Sequence, residues 1–304
     1  MSAPDFSRTD IIAADFGRSG QRDDDRGWIG GPVVTSHGRL GLPGFRLAAA
    51  IVALWLGLLV LLPLSALVLR PWESGWGGAW AAMTSPRALA SLRLSFGTAL
   101  VAAAIDVPVG VLIAWVLTRY RFPGRALWDA VVDLPFAPPT AVAGIALATL
   151  YADTGWIGAP LAALGIEVAF GVPGIVVALV FAGLPFVVRS VQPVLMELPP
   201  EIEEAAATLG ARRGQVVRRV LLPMLLPAII TGFGLAFARA VGEYGSVIFI
   251  AGNVPLISEI APLVIITRLE QFDYAGAAAV GLAMLLGSAA ILALTGALQR
   301  RLAR

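Results

Sequence analysis

Residues 47–69 read LAAAIVALWLGLLVLLPLSALVL, twenty-three positions without a charge between Arg46 and Arg70. A helix of that length spans roughly 34 Å, enough for the hydrocarbon core of a bilayer with some tilt. Few folds are open to such a run. In lipid every backbone N–H and C=O must find its partner inside the protein, and a helix does so locally. Five further apolar stretches, at about 92–118, 127–151, 172–191, 225–250 and 275–298, repeat the signal. Only 14% of the chain is charged, against roughly 25% in soluble domains. The expected fold is an all-α membrane protein of about six transmembrane helices. Pro135, Pro138 and Pro139 interrupt the third stretch, which should be kinked or partly unwound, as is tolerated where it is buried in protein or lines a cavity.

The side of the membrane follows from arginine. The loop 119–125 holds Arg119, Arg121 and Arg125, the segment 192–224 holds four arginines, and the C-terminus holds Arg300, Arg301 and Arg304. The loop 153–171 holds no basic residue. Six alternating helices place the arginine-rich stretches together, with N- and C-termini cytoplasmic; Arg87 and Arg268 are outweighed exceptions. Residues 1–45 carry arginine and aspartate but no apolar run long enough for a signal peptide. They read as a polar cytoplasmic tail ahead of a transmembrane domain at 46–304.

Composition also removes chemistries. All 22 basic residues are arginine, so the lysine of a phosphate-binding loop is missing and ATP hydrolysis by that route is excluded. There is no cysteine for disulfides or thiolate metal sites. The single histidine, His37, lies in the polar tail and reads as a solvated residue, leaving no Ser–His relay or His-rich metal centre among the apolar runs. A net charge of +2 gives no reason to expect nucleic acid. No catalytic, cofactor-binding or metal residues are expected in this chain.

Against this background residues 201–223, EIEEAAATLGARRGQVVRRVLLP, stand out. Pro199 and Pro200 stop the preceding helix and open a new one. Glu201, Glu203 and Glu204 fall in its first turn, where the helix dipole favours negative charge. Gly210 can take the left-handed conformation that ends it. A second, basic segment leads to Leu222-Pro223 and the next span, so a helix–turn–helix outside the bilayer is expected over a loop at 197–223.

Glu204-Ala205-Ala206, three residues, Gly210, nine residues, then Val220-Leu221-Leu222-Pro223 resembles the EAA loop, E-A-A-x3-G-x9-I-x-L-P, of ATP-binding cassette importer permeases. Only the Ile position departs, to Val220. The resemblance implies a type I importer permease bundle with a cytoplasmic coupling helix that docks into a cleft on a separate ATPase subunit. Carried over by position, Glu204, Ala205, Ala206, Gly210, Leu222 and Pro223 form the coupling segment, and nearby arginines can meet acidic groups of the ATPase or anionic lipid heads. ATP and Mg would be held by a dimer of that partner.

Residues 236–253, AFARAVGEYGSVIFIAGN, resemble the fifth-helix signature of sulfate, thiosulfate and molybdate permeases. Ser258-Glu259-Ile260, Leu269-Glu270-Gln271-Phe272-Asp273-Tyr274-Ala275-Gly276 and residues 132–144, VDLPFAPPTAVAG, resemble the T-type permease subunit of sulfate/thiosulfate importers. That family pairs it with a homologous W-type permease and a periplasmic sulfate-binding protein, in the inner membrane. Molybdate permeases share the GEYG-like core, so molybdate is the alternative cargo. An ATP-independent anion channel and an intramembrane protease are rivals of other classes, disfavoured by the ordered EAA pattern and by the poor spacing of Asp129 and Asp133.

Intramembrane ionisable residues are functional candidates by default. Arg239 and Glu243, four apart on one helix face, are either a structural ion pair or part of an anion path. Asp106, beside Val107-Pro108, is either paired or a gate element. Asp129 and Asp133 share a face near the cytoplasmic end of the third span, and pairing with cytoplasmic arginines is the preferred reading.

Overall fold

A computed structural model of the chain describes residues 45–302; the polar tail up to residue 44, with His37, lies outside them. In chain order the helices are α1 (Phe45–Thr84), α2 (Pro86–Arg119), α3 (Arg125–Val132), α4 (Thr140–Tyr151), α5 (Val172–Glu197), α6 (Glu201–Thr208), α7 (Arg213–Val241), α8 (Val247–Ile250), α9 (Ala261–Glu270) and α10 (Tyr274–Leu302). No strand occurs among the described residues. Helices α1, α2, α5, α7 and α10 are long and apolar enough to cross a membrane. Residues 53–304 group into one compact unit; residues 45–52, in the other, are helical with exposed side chains.

The third apolar stretch is not one helix. It becomes α3, a 3-10 turn at Leu134–Phe136, an irregular Ala137–Pro139 and α4. Three prolines remove three backbone donors within five positions, which a continuous helix does not survive. Helix α4 has 12 residues, about 18 Å, too short to cross alone. The fifth stretch also ends early. Helix α7 stops at Val241, and residues 242–246 turn into the short α8.

Two π-helical turns have one cause. Gly57–Leu61 and Val217–Leu221 are each followed, after a leucine, by a proline, Pro63 or Pro223. The amides of Leu62 and Leu222 bond back five residues, to Gly57 and Val217. Proline lacks a donor and crowds the carbonyl four residues back; widening one turn absorbs this without ending the helix. Leu222-Pro223 therefore does not open the fifth span. The helix runs unbroken through it from Arg213.

Small residues let α2, α5 and α7 approach one another closely. Ala99, Ala102, Ala103, Ala178 and Ala236 are fully buried. A Cβ on Gly110 of α2 would stand 2.7 Å from Val187 Cγ1, and one on Gly232 of α7 would stand 2.9 Å from the Val187 Cα. Helix α5 is thus gripped from both sides at Val187. Lipid is as apolar as leucine, so burying leucine between helices gains little; close backbone approach and its dispersion contacts hold such a bundle. Helix α10 repeats the device. Ala277 is buried, Gly281 lies against Leu67 of α1 and Gly287 against the Phe96 ring of α2. The small-residue stripe of the last span is ordinary helix packing.

On one face, Arg87 at the start of α2 makes two hydrogen bonds, of 2.7 and 2.5 Å, to buried Glu259. The Ala261 amide, opening α9, donates to Ser95 Oγ of α2 at 2.9 Å. Asp273 accepts from Arg268 at 2.8 Å and from the Gly276 amide at 2.9 Å. Of the signature residues, Glu259 therefore ties the segment before α9 to α2, and Asp273 ties the end of α9 to the start of α10.

Candidate functional site

Helix α6 has the architecture read from its sequence. Pro200 occupies its N-cap, Glu201, Glu203 and Glu204 its first turn, and Gly210 follows its end at φ +83°. The Gly210 amide donates to Ala207 O at 2.9 Å and the Ala211 amide to Ala206 O at 3.1 Å. That crossed pair is a Schellman end, which requires the left-handed residue at Gly210. Beyond it Gln215 Oε1 accepts from the Arg212 amide at 2.8 Å and starts α7.

One face of α6 is turned inward and one outward. Ile202 and Ala206 pack against the core, while Glu204, Ala205 and Gly210 are exposed. Leu209 is 89% exposed at the tip. A single exposed apolar side chain is common on protein surfaces; this one marks only where the tip of the charged helix lies. Sequence reading passed over it, because nothing local distinguishes it from the many leucines around it. Leu222 is exposed on α7.

A second site forms where α7 ends. Arg239 pairs with Oε2 of Glu243, whose side chain is almost fully buried. The other oxygen, Oε1, accepts from the Ser246 amide at 3.0 Å and from Ser246 Oγ at 2.8 Å. Both carboxylate oxygens are thus engaged, which turns the chain from α7 into α8. The broken third span comes up against this turn. A Cβ on Gly144 would lie 2.7 Å from Ser246 Cα, and one on Gly245 would run into Thr140. Pro135, Phe136, Thr140, Arg239, Glu243 and Ser246 line a common crevice of about 20 Å³. One water needs about 10–15 Å³, so the crevice is about water-sized in this conformation.

Asp106 lies apart from that crevice. It is 1% exposed in α2, and neither carboxyl oxygen has a hydrogen bond among the described residues. Its Oδ2 occupies the space where Gly183 of α5 would carry a side chain, beside Ala236 of α7. The paired alternative for Asp106 is not what the structure contains.

Asp129 and Asp133 are paired, with Arg189 of α5. Arg189 Nε and Nη2 donate to the two Asp133 oxygens at 2.9 and 2.6 Å, and Nη1 donates to Asp129 Oδ1 at 2.8 Å. Gln192 accepts from Arg189 at 2.6 Å and donates to Asp129 at 3.1 Å. The partner is one arginine of the fourth span, not an arginine of the loops expected to be cytoplasmic. Its bonds hold the severed α3 to α5. No group of acidic, histidine or cysteine side chains among the described residues could hold a metal ion.

Comparison with known proteins gives a concordant picture. Residues 106–304 match the model of the family described as binding-protein-dependent transport system inner membrane component. A sulfate transport system permease protein CysT from Salmonella typhimurium is 48% identical over 90% of this chain and 98% of its own length. That of Synechococcus elongatus is 49% identical over 81% and 88%. Among solved structures, a bacterial ABC transporter involved in import of the acidic polysaccharide alginate superposes with TM-score 0.71, over 86% of this chain and 97% of that one, at 16% identity. At that identity the likeness shows the fold.

Proposed function

The chain belongs to the family of binding-protein-dependent transport system inner membrane components, and from that premise we propose that it carries sulfate through the membrane as one half of an ATP-driven importer. It is a multi-pass membrane permease of the ABC importer class. Hydrolysis, with its ATP and Mg, belongs to a cytoplasmic ATPase dimer. A homologous W-type permease completes the pore, a periplasmic sulfate-binding protein delivers the anion, lipid surrounds the apolar helices, and both termini lie in the cytoplasm.

The observation that carries this reading is α6. The Glu204-Ala205-Ala206 segment is an exposed helix, closed by left-handed Gly210 and tipped by Leu209. Such a projection suits docking into another protein better than packing in its own. ATP-driven closure of the partner would draw α6 and move the bundle between two packed arrangements. Arg239 and Glu243, against the irregular third span, are the proposed path residues, and the narrow crevice suits a closed state. Asp106, wedged among three helices, is placed to respond when α2 and α5 shift.

The cargo is tested by sulfate uptake in a strain lacking this chain, with thiosulfate and molybdate as competitors. Uptake is expected to vanish and to return with the wild-type chain. Unchanged sulfate uptake with reduced molybdate accumulation would reassign the cargo to molybdate.

A further inference from the structure

Arg119 is the last residue of α2, and its guanidinium touches three elements at once. Its Nη2 donates to the Leu198 carbonyl at 3.2 Å, just past the end of α5. The same nitrogen stands 2.9 Å from Oε1 of Glu203, in the first turn of α6. The guanidinium also lies over the Trp115 ring, one turn back along α2, 5.9 Å from its centroid. The side chains of Arg119 and Glu203 are 19% and 31% exposed, so water screens the contact less than it screens a surface pair.

The ground beneath α6 makes this contact matter. An open cleft of about 660 Å³ separates α6 from the ends of α2 and α7, with Trp115, Arg119, Glu203, Glu204 and Arg213 on its walls. Helix α6 rests on the core through Ile202 and Ala206. Arg119 bridges the cleft. It supplies the ion pair between α6 and the transmembrane helices among the described residues. Arg119 Nε and Glu203 Oε1 are buried without a hydrogen bond, so the pair is in contact but not in its best alignment. A small rotation of α6 would change its strength.

We propose that Arg119 is the positioning residue that makes α6 move as one piece with α2 and α5, so that a pull on the docking helix reaches the core. This rests on the reading of α6 as the docking helix. Proline explains why a side chain is needed. Pro199 and Pro200, between α5 and α6, have no amide to donate, so neither can serve the Leu198 carbonyl, which takes its donor from Arg119 instead.

The test uses the whole importer complex reconstituted in liposomes, measuring sulfate moved per ATP hydrolysed and recovery of the ATPase subunit. For Arg119→Met the ATPase is expected to be retained and to hydrolyse ATP, while sulfate per ATP falls about fivefold or more, the lower range of coupling between sites. Glu203→Gln, on the more exposed partner, should act in the same direction, and decides alone if Arg119→Met is not recovered folded. The exchange Arg119→Glu with Glu203→Arg should recover part of the ratio. A merely structural role would lower yield, hydrolysis and uptake together and leave the ratio unchanged, which would overturn the proposal. So would an exchange variant no better than either single one. If Gly210→Val keeps the ATPase bound, the docking reading fails instead, whatever the ratio does.

Discussion

Arg239 reaches Oε2 of Glu243, while Ser246 holds the other oxygen with two hydrogen bonds. The arrangement has a consequence for anion passage. When the guanidinium turns away, Glu243 keeps its Ser246 partners on Oε1 but leaves Oε2 without its partner, so in the proposed path an exchange of Arg239 from carboxylate to oxyanion is a balance between two anions. Arg239→Ala is expected to abolish sulfate uptake while the complex still assembles, read by uptake beside co-purification of the ATPase. Normal uptake would make the pair purely structural. At Gly210 the constraint is conformational. A Cβ there meets nothing within 4 Å, so size is irrelevant, and φ of +83° is what a side chain resists. The left-handed conformation costs an L-residue roughly 1–2 kcal/mol, and a β-branched residue suffers most. Gly210→Val should release the ATPase on purification and Gly210→Asn should largely retain it; full retention by both would refute the Schellman end as the feature that presents α6, and the docking reading with it.

Among elements, the grip on α5 is the most exposed to test. Gly232 of α7 faces the Val187 backbone, which cannot swing aside as a side chain can. Gly232→Val must part α5 from α7, an overpacking cost of about 1–3 kcal/mol, and should lower the melting temperature and yield of the purified complex. An unchanged melting temperature would contradict the close approach. The elements also mark how far sequence reached. Apolar length disclosed four of the expected spans nearly as they stand, because the bilayer sets that length. The prolines at 135, 138 and 139 disclosed the break in the third. The π turn at Val217–Leu221 was hidden, since Leu222-Pro223 reads equally well as a helix start. Arg189 was hidden for another reason. It lies 56 residues from Asp133, and its partners exist only once α3 is folded against α5.

For the whole molecule the account is of a lever without an engine. The proposed docking surface, joint and path occupy α6, Arg119 and the α7–α8 turn, on a bundle whose helices approach closely at small residues. Sequence disclosed the helix and the glycine end of the proposed lever, because its motif is local; it did not disclose the proposed joint, because Arg119 and Glu203 meet across 84 positions. The most direct test of the account is sulfate accumulation in liposomes carrying the complete complex, with and without hydrolysable ATP. Accumulation against a gradient is expected only with ATP, and only when α6 retains Gly210. Equal sulfate flux without ATP, or through this chain alone, would make it a channel and contradict the account.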